Sequence, residues 1–381
     1  MTEKSVIWIW LSQINGLNNL NLQKLISHFD NYDSLWNAMT DDDLPDFLNN
    51  NRELSSLKEN ILRKETREKA VKIFEDCKKK EIEICYPGKE NYPQLLEYVA
   101  EKPMALYVRG ELLKEDKYLA IIGSRTASSY GLDIAYSFSK KLAENGVTIV
   151  SGMARGVDSY AHAGALKGGG RTIAVLGNGV DICYPSENDN LMNSILKSGA
   201  VISELPPGTR PSKYTFPQRN RIIAGMSAGV FVTEAGPDSG TRITVDFAND
   251  YGKDIFAVPG EITKQNFFGT NKMLKDGAIF VTSPEDIFTA ISHQYQLPED
   301  LLHEGNLNID FGVPASIKKE LSEYELEIVK HLEVEIMHID KLMEVTNMGA
   351  GEIYVWLLML ELKGIIQQLP GRFYKIKNTF I

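Results

Sequence analysis

Four arginines, Arg125, Arg155, Arg219 and Arg221, stand in or just beyond polar, glycine-bearing segments that follow short apolar runs. The segments read "GSRTASSYG", "SGMARGVD", "GNGVDICYP", "SELPPGTRPSKYTFPQRNRII" and "EAGPDSGTRIT". Glycine lets a backbone come close to a ligand, and a helix N-terminus offers unpaired N–H groups to an anion. Gly123, Ser124, Gly152, Asn220, Ser239, Gly240 and Thr241 therefore join the arginines in one polar rim. Arg219 and Arg221 fall in the first turn of a helix that starts near Pro217, with Thr215 and Gln218 at capping-box spacing. A cation in a first turn opposes the helix dipole by about 0.3–1 kcal/mol, so local stability does not explain these residues. The guanidinium fork matches phosphate, and a phosphate-bearing ligand is the economical explanation. The competing reading pairs the arginines with Asp158, Glu204 or Glu234 as a structural rim. Asp158 fits the N-cap of the helix "SYAHAGAL", where its carboxylate would repel phosphate and serve to position Arg125 or Arg155.

Other chemistries lack their residues. "GNGVDI" has no third glycine, which argues against a dinucleotide cofactor, and no GxxxxGK[ST] is present. "GMSAG" places Ser227 at a helix end that leads into a strand, whereas a nucleophile elbow runs from strand to helix. His162, among alanines, reads as a packed core histidine rather than a base. The six histidines show no metal-ligand spacing, and Cys77, Cys85 and Cys183 form no CxxC pair, so no metal, disulfide or cofactor is expected. Without nucleophile, base or cofactor fingerprint, the rim looks built for binding rather than catalysis. Tyr160, Tyr184, Tyr214 and Phe216 lie in the same loops and either stack on bases or pack the rim.

These residues need a scaffold that presents several loops together. From about Lys117, the runs "YLAIIG", "VTIVSG", "RTIAVLG", "GAVISE", "GVFVTEA", "DIFAVPG" and "AIFVTS" alternate with segments of helical length. Uninterrupted apolar strands joined by helices predict right-handed crossovers and an α/β doubly wound, mostly parallel, Rossmann-like sheet. Ligands of such sheets bind at the carboxyl ends of the strands. Residues 1–86 carry helical periodicity and predict a small helical domain. The sheet domain is expected over 87–300, with an extension at 87–116 that ends in the strand "ALYVRG". A linker at 301–315 leads to residues 316–381, whose three helical segments and closing "IIQQLPGRFYKI" predict a winged-helix domain. Its last helix, "GAGEIYVWLLMLELKG", is apolar with mostly acidic charges, so it is unsuited to reading duplex DNA and better suited to a protein or dimer contact.

The chain has 381 residues, 43% of them hydrophobic, and a net charge of −10, which excludes a wholly basic polyanion-binding surface but not a local groove. The longest apolar stretch near the start, "VIWIWL", is far shorter than the roughly 20 residues of a bilayer span, so a soluble cytoplasmic protein with no membrane contact is expected.

The blocks "AIIGSRTASSYG", "IVSGMARGVDSYAHAGAL", "TIAVLGNGVDICYPSEN", "ISELPPGTRP" and "FPQRNRIIAGMSAGVFVTEAGPDSGT", followed by "FAVPGEITKQNFFGTNKMLKDGA", resemble those of the DNA-processing protein A family (DprA, or Smf). The resemblance runs in order over roughly Tyr86 to Ser283. It implies a non-enzymatic homodimer that binds single-stranded DNA and loads the RecA recombinase onto it, protecting incoming DNA during natural transformation and recombination. It implies a sterile-alpha-motif or helix-hairpin-helix type of N-terminal module and a winged-helix C-terminal domain. Carried onto this sequence, the DNA pocket takes Arg125 and also Lys167 or Arg171 near "LKGGGR". The "RNR" arginines either touch DNA or brace the rim. The dimer contact falls near "NDYGKDIFAVPG" and "NFFGTNKMLKDGA".

The main rival is a nucleoside 5′-monophosphate phosphoribohydrolase of the LOG type, whose PGGxGTxxE loop supplies a glutamate. "GPDSGTRIT" offers Ile243 and Thr244 where that acid is required. A nucleotide-sensing domain without turnover is the third reading. Arg242 and Asp246 stand where small or apolar residues would suit the sheet pattern better.

Overall fold

An uninterrupted apolar run is satisfied by burial on both faces, and all seven predicted runs form strands of one sheet. The computed structural model describes residues 2–29, 31–38, 40, 43–49, 54–237, 239–292, 295, 321–333, 336–369 and 371–376. Contacts divide the chain into two units, Met1–Gly305 and Asn306–Ile381. The expected linker at 301–315 lies outside the described residues.

The first unit opens with α1 (Lys4–Ser12), α2 (Asn19–Phe29), α3 (Tyr32–Asn37), α4 (Asp46–Asn49), α5 (Ser55–Leu62) and α6 (Lys64–Lys79). Two short strands follow, β1 (Glu83–Cys85) and β2 (Leu106–Gly110). The alternating region contains β3 (Lys117–Ile122), α7 (Ser129–Glu144), β4 (Val147–Ser151), α8 (Val157–Lys167), β5 (Thr172–Val175), α9 (Asp189–Ser198) and β6 (Ala200–Ser203). It continues with α10 (Thr215–Met226), β7 (Gly229–Val232), α11 (Thr241–Asp250), β8 (Asp254–Ala257), α12 (Phe268–Lys275), β9 (Ile279–Phe280) and α13 (Pro284–Ile291).

The nine strands run in the order β1-β2-β6-β5-β4-β3-β7-β8-β9. The pairs from β6 to β9 are parallel, and β1 and β2 add an antiparallel edge. Ala120 of β3 sits opposite Val150 of β4 on one side and Val230 of β7 on the other. The chain winds outward from β3 through β4, β5 and β6, then crosses back to start β7 on the far side. That reversal makes the β3/β7 junction the topological switch point, where a doubly wound sheet opens a crevice.

One sheet face packs Ile222, Ile223, Val245 and Ala248 of α10 and α11 against Ala120, Val150, Val175 and Val230. On the opposite face the N-terminal helices share a continuous core with the sheet, as Trp8, Trp10 and Leu25 cluster with Tyr107, Ala174 and Val201. Residue 86 is therefore not a break between two cores. β1, at Glu83–Cys85, already belongs to the sheet although its residues were read as helical, since a three-residue strand leaves no periodicity to detect.

The second unit has α14 (Glu323–Leu332), β10 (Met337–His338), α15 (Ile339–Thr346), α16 (Ala350–Leu362), β11 (Ile366–Leu369) and β12 (Phe373–Ile376), with sheet order β10-β12-β11. All three predicted helices and the hairpin are present. Ser322 and Glu325 form a capping box on α14, and Lys363 bonds the buried Glu325 carboxylate at 2.7 and 2.9 Å, tying the end of α16 to the start of α14.

Two features of α8 hold the site in place. α7 and α8 touch so closely that a Cβ at Gly164 would overlap the Tyr136 carbonyl. Gly164→Ala is expected to push α8 off its seat and lower unfolding stability by about 2–3 kcal/mol, read by urea denaturation. His162 is fully buried with Nδ1 2.7 Å from Thr172 Oγ1, as expected of a core histidine. Burial, reinforced by the charge of Arg219, lowers its pKa from 6.5 to about 3. Over that interval the unfolded chain takes up a proton that the native state refuses. This contribution to stability is therefore complete above pH 6.5 and is lost on acidification, by up to about 1.4 kcal/mol per pH unit. Urea titrations between pH 7.5 and 5 should show the loss, and His162→Gln should flatten it.

Candidate functional site

Above the carboxyl ends of the strands around the β3/β7 junction lies a crevice of about 530 Å³. Gly123, Ser124 and Arg125 reach it from the exit of β3, Ala154 from the loop after β4 and Asp158 from the first turn of α8. Lys213, Phe216, Arg219 and Asn220 reach it from the start of α10, and Ser239, Gly240, Thr241 and Thr244 from the start of α11. Segments more than a hundred residues apart converge because each is the exit of a strand. The loop geometry thus follows from the sheet.

Arg219 does not face a ligand but braces the floor. It is 5% exposed, and its Nη1 donates to the carbonyls of Gly152, at 2.7 Å, and Val175, while Nε donates to Asn220 Oδ1 at 3.2 Å. Asp158 is its electrostatic partner. The Asp158 carboxylate also accepts from the backbone N–H of Gly152 at 3.1 Å and of Ala154 at 3.3 Å. Burial raises the Asp158 pKa, opposed by Arg219 and the backbone donors, and burial pulls Arg219 down to about 10. Two expectations are corrected here. The helix cap is Gly156, with φ 75°, and Asp158 lies inside the first turn, bonding the loop before the helix instead of the helix N–H groups. Its cationic partner is Arg219, not Arg125 or Arg155.

The glycines also serve a different purpose from the one expected. A Cβ on Gly152 would come within 2.5 Å of the Arg219 guanidinium, and one on Gly123 within 2.6 Å of Val157 and 2.9 Å of the Glu234 carbonyl. These glycines admit protein groups rather than a ligand. Gly240, by contrast, faces open space.

Glu234 is fully buried and forms the wall between β3 and α7. It accepts from Ser128 N at 2.9 Å and from the Ser128 hydroxyl, while its carbonyl takes Ser124 N at 2.8 Å. Ser128 in turn caps α7 at Gly131 N. The α7 N-terminus is thus closed to a ligand. The first turn of α11 carries no acid, and its Thr241 N–H donates to Ser239 Oγ at 3.3 Å and its Arg242 N–H to the Ser239 carbonyl at 3.1 Å, so this end offers the crevice its dipole and the Ser239 and Thr241 hydroxyls rather than free N–H groups.

Two cations remain for a ligand. Arg125 is exposed on the crevice wall, and no carboxylate among the described residues pairs with it. Lys213, just before α10, also lines the crevice and is exposed, with its ammonium 5.2 Å from the Tyr214 ring centre. The sequence reading missed Lys213. The signal was its place in "PSKYTF", between a strand exit and the arginine-bearing helix. Thr215, expected in a capping box, donates instead to the carbonyls of Gly177 and Ser212, at 2.5 and 2.9 Å. Phe216 stacks on Tyr184 at 5.5 Å, and Tyr184 and Tyr214 are exposed, giving an aromatic row next to Lys213. Tyr160 is half-buried towards Asp133 of α7 and does not join that row.

The other predicted residues lie elsewhere. Arg155 is exposed with its fork on Glu187, at 2.8 Å from Nη2. Arg221 pairs with Glu204, whose pKa burial raises, in a separate pocket lined by Leu11, Ser12 and Lys102. Lys167 ends α8, a helix length from the rim. Arg171 precedes β5 and bonds Asp116 at 2.7 Å and the Ser198 and Glu111 carbonyls, at the amino end of the sheet. Neither residue can line the crevice, because a strand's first residue and its exit loop stand at opposite edges. Ser227 is fully buried and donates to the Ile223 carbonyl at 2.8 Å.

The chemistry available is therefore anion capture. Asp158 is the carboxylate of the crevice wall among the described residues, and it is committed to Arg219 and two backbone donors. At the start of α11, Ile243 and Thr244 line the crevice where a hydrolase of this architecture would present an acid.

Comparison with known proteins agrees with this geometry. The family model described as DNA recombination-mediator protein A matches residues 83–292, and that of the DprA winged helix domain matches 313–372. Protein Smf of Synechocystis is 31% identical over 393 residues, covering 97% of this chain and 98% of that protein. The X-ray structure of DNA processing protein A from Streptococcus pneumoniae superposes with a TM-score of 0.63 at 33% identity, covering 74% of this chain and 97% of that one. DNA processing protein A from Helicobacter pylori, known for its single-stranded DNA binding mode, gives a TM-score of 0.50 at 29% identity, covering 56% of this chain and 97% of that one. With a family match over more than half its length and a relative aligned almost end to end, the chain belongs to the DNA recombination-mediator protein A family.

Proposed function

We propose that the crevice binds the backbone of single-stranded DNA and that the protein, a cytoplasmic homodimer, delivers the strand to the RecA recombinase during transformation and recombination. The observation that carries this reading is that Arg125 and Lys213, two exposed cations, line the same crevice as the N-terminal end of α11, with an aromatic row beside Lys213. Phosphates suit the cations and the helix end, and bases exposed only in a single strand suit Tyr184, Phe216 and Tyr214. The single-strand binding of the H. pylori relative supports it. Ser124, Asn220, Ser239, Gly240 and Thr241 complete the phosphate wall, while Gly123, Arg219, Asp158 and Glu234 hold its shape.

The dimer contact is assigned to the β9 edge. Phe268 and Phe280 are 43% and 57% exposed there, beside a groove of about 470 Å³ between α11 and α12. Large apolar groups beside an edge strand mark a covered surface.

Asp158, the carboxylate lining the crevice among the described residues, is committed to Arg219 and two backbone donors, which supports action by binding rather than turnover. A free nucleotide is the second reading, favoured by a crevice volume that would admit one.

Fluorescence anisotropy of a labelled oligonucleotide should show tighter binding to single strand than to duplex, weakening with salt. Arg125→Ala and Lys213→Ala should each reduce affinity similarly for all sequences and lower the salt slope by roughly 0.7 per lost phosphate contact. Lys167→Ala should change neither. Unchanged binding in both crevice variants would remove the crevice from the DNA path, and competition by a mononucleotide without strand binding would establish the second reading. Phe280→Glu should shift the sedimentation coefficient from dimer to monomer. RecA delivery is tested by the rate of RecA nucleation on the same oligonucleotide, which the protein should raise and Arg125→Ala should not.

A further inference from the structure

The last long helix of the winged-helix unit is apolar on both sides. Ile353, Leu357 and Leu360 of α16 are buried in its core. Val355, Leu358 and Leu362 on the opposite side are 56%, 57% and 75% exposed. A helix that is hydrophobic all round belongs in an interior, and this one has solvent on half its surface. No exposed position of α16 carries a basic or amide side chain, so a duplex groove is not its complement.

The geometry points to a second copy of the same helix as the occupant, packed antiparallel across a two-fold axis. The centre of the exposed face runs through Gly351, Val355, Leu358 and Leu362, spaced 4, 3 and 4 residues apart. This spacing is that of a coiled-coil seam and reads identically in either direction. Laid antiparallel, Gly351 falls opposite Leu362 of the second copy and Val355 opposite Leu358, so the largest exposed side chain meets the position with no Cβ. Nothing lies within 4 Å of the Cβ that Gly351 lacks, so the space is open.

The edges of the seam agree in charge. At about 100° per residue, Glu352 and Lys363 share one edge of the helix, and Tyr354 and Glu361 share the other. A two-fold axis perpendicular to the helices sets each edge beside its own copy in reverse. Glu352 then approaches Lys363 of the second copy, and the Tyr354 hydroxyl approaches Glu361 of the second copy. Lys363 spends two bonds on Glu325 yet its side chain remains 38% exposed, leaving a donor available. Parallel pairing would instead set Gly351 against Gly351 and Leu362 against Leu362 of the second copy, leaving a gap at one end of the seam and crowding the other. Two helices about 20 Å long bury less than the roughly 1,200 Å² of a stable pair, so the contact is weak between free chains and becomes effective when chains are already held together. It stands independently of the DNA reading.

Full-length Gly351→Cys and Leu362→Cys chains, carrying tags of different size, test the pairing under mild oxidation. Cys77 and Cys85 are buried and Cys183 half-buried, and the unsubstituted chain sets the background. The mixture should form the hetero-crosslink at least tenfold faster than either variant crosslinks alone, because like positions are about 16 Å apart in the antiparallel pair. Adding Leu358→Glu to both chains should reduce that product at least tenfold. Self-crosslinking of the single variants would overturn the antiparallel arrangement. No product above background would overturn the second copy as occupant.

Discussion

A guanidinium buried between the exits of two parallel strands is the constraint on which the crevice depends. Arg219 is held by the carbonyls of Gly152 and Val175 and by the charge of Asp158, so the ends of β4 and β5 and the start of α8 are fixed by one side chain. A buried pair of this kind contributes little net stability compared with apolar residues of the same shape, but removing one partner strands the other charge at a cost of about 3–5 kcal/mol. Lysine could not replace it, since the bonds diverge from a planar fork. Gly152 must lack a side chain because the guanidinium occupies that space. The same arrangement explains why Arg219 is not a ligand group. Drawing it towards a phosphate would leave Asp158 buried and unpaired.

The pair also sets the electrostatics of the wall above it. Asp158 balances Arg219, and Arg125 is close enough to lower the Arg219 pKa further. Two guanidiniums then face one carboxylate, with Lys213 and the α11 N-terminus adding positive character. An anion in the crevice would relieve that repulsion, so on the proposed reading a preference for phosphate is built into the empty site and does not come only from contacts made on binding.

The strands were legible because doubly buried parallel strands leave continuous apolar runs, and the rim was legible because strand exits must be loops. What sequence did not reveal was direction within the third dimension. Arg171 stands one residue before β5, so its side of the sheet could have been read from the strand itself, yet the resemblance placed it at the site. Lys213 sits in an irregular loop whose path no periodicity describes. The arginines were identified as a group, but only burial separates Arg219 and Arg221, which brace the fold, from Arg125, which faces solvent. Gly123 and Gly152 read as ligand-approach positions because sequence cannot tell a ligand atom from a protein atom in the same space.

A net charge of −10 opposes the approach of a polyanionic ligand, and the resolution lies in distance and stiffness. Charges beyond about 8 Å are screened at physiological ionic strength, so the crevice cations govern a phosphate that has entered, while the acidic exterior governs one that has not. A duplex is a rod that stays stiff over roughly 150 base pairs and would have to bring its whole phosphate surface against that exterior. A single strand bends at every nucleotide and, if bound as proposed, brings its phosphates to Arg125 and Lys213 while its bases lie over Tyr184 and Phe216. On the proposed reading, discrimination between the two forms of DNA therefore needs no base-specific contact. It follows from placing a few cations in a recess on a protein that is otherwise negative.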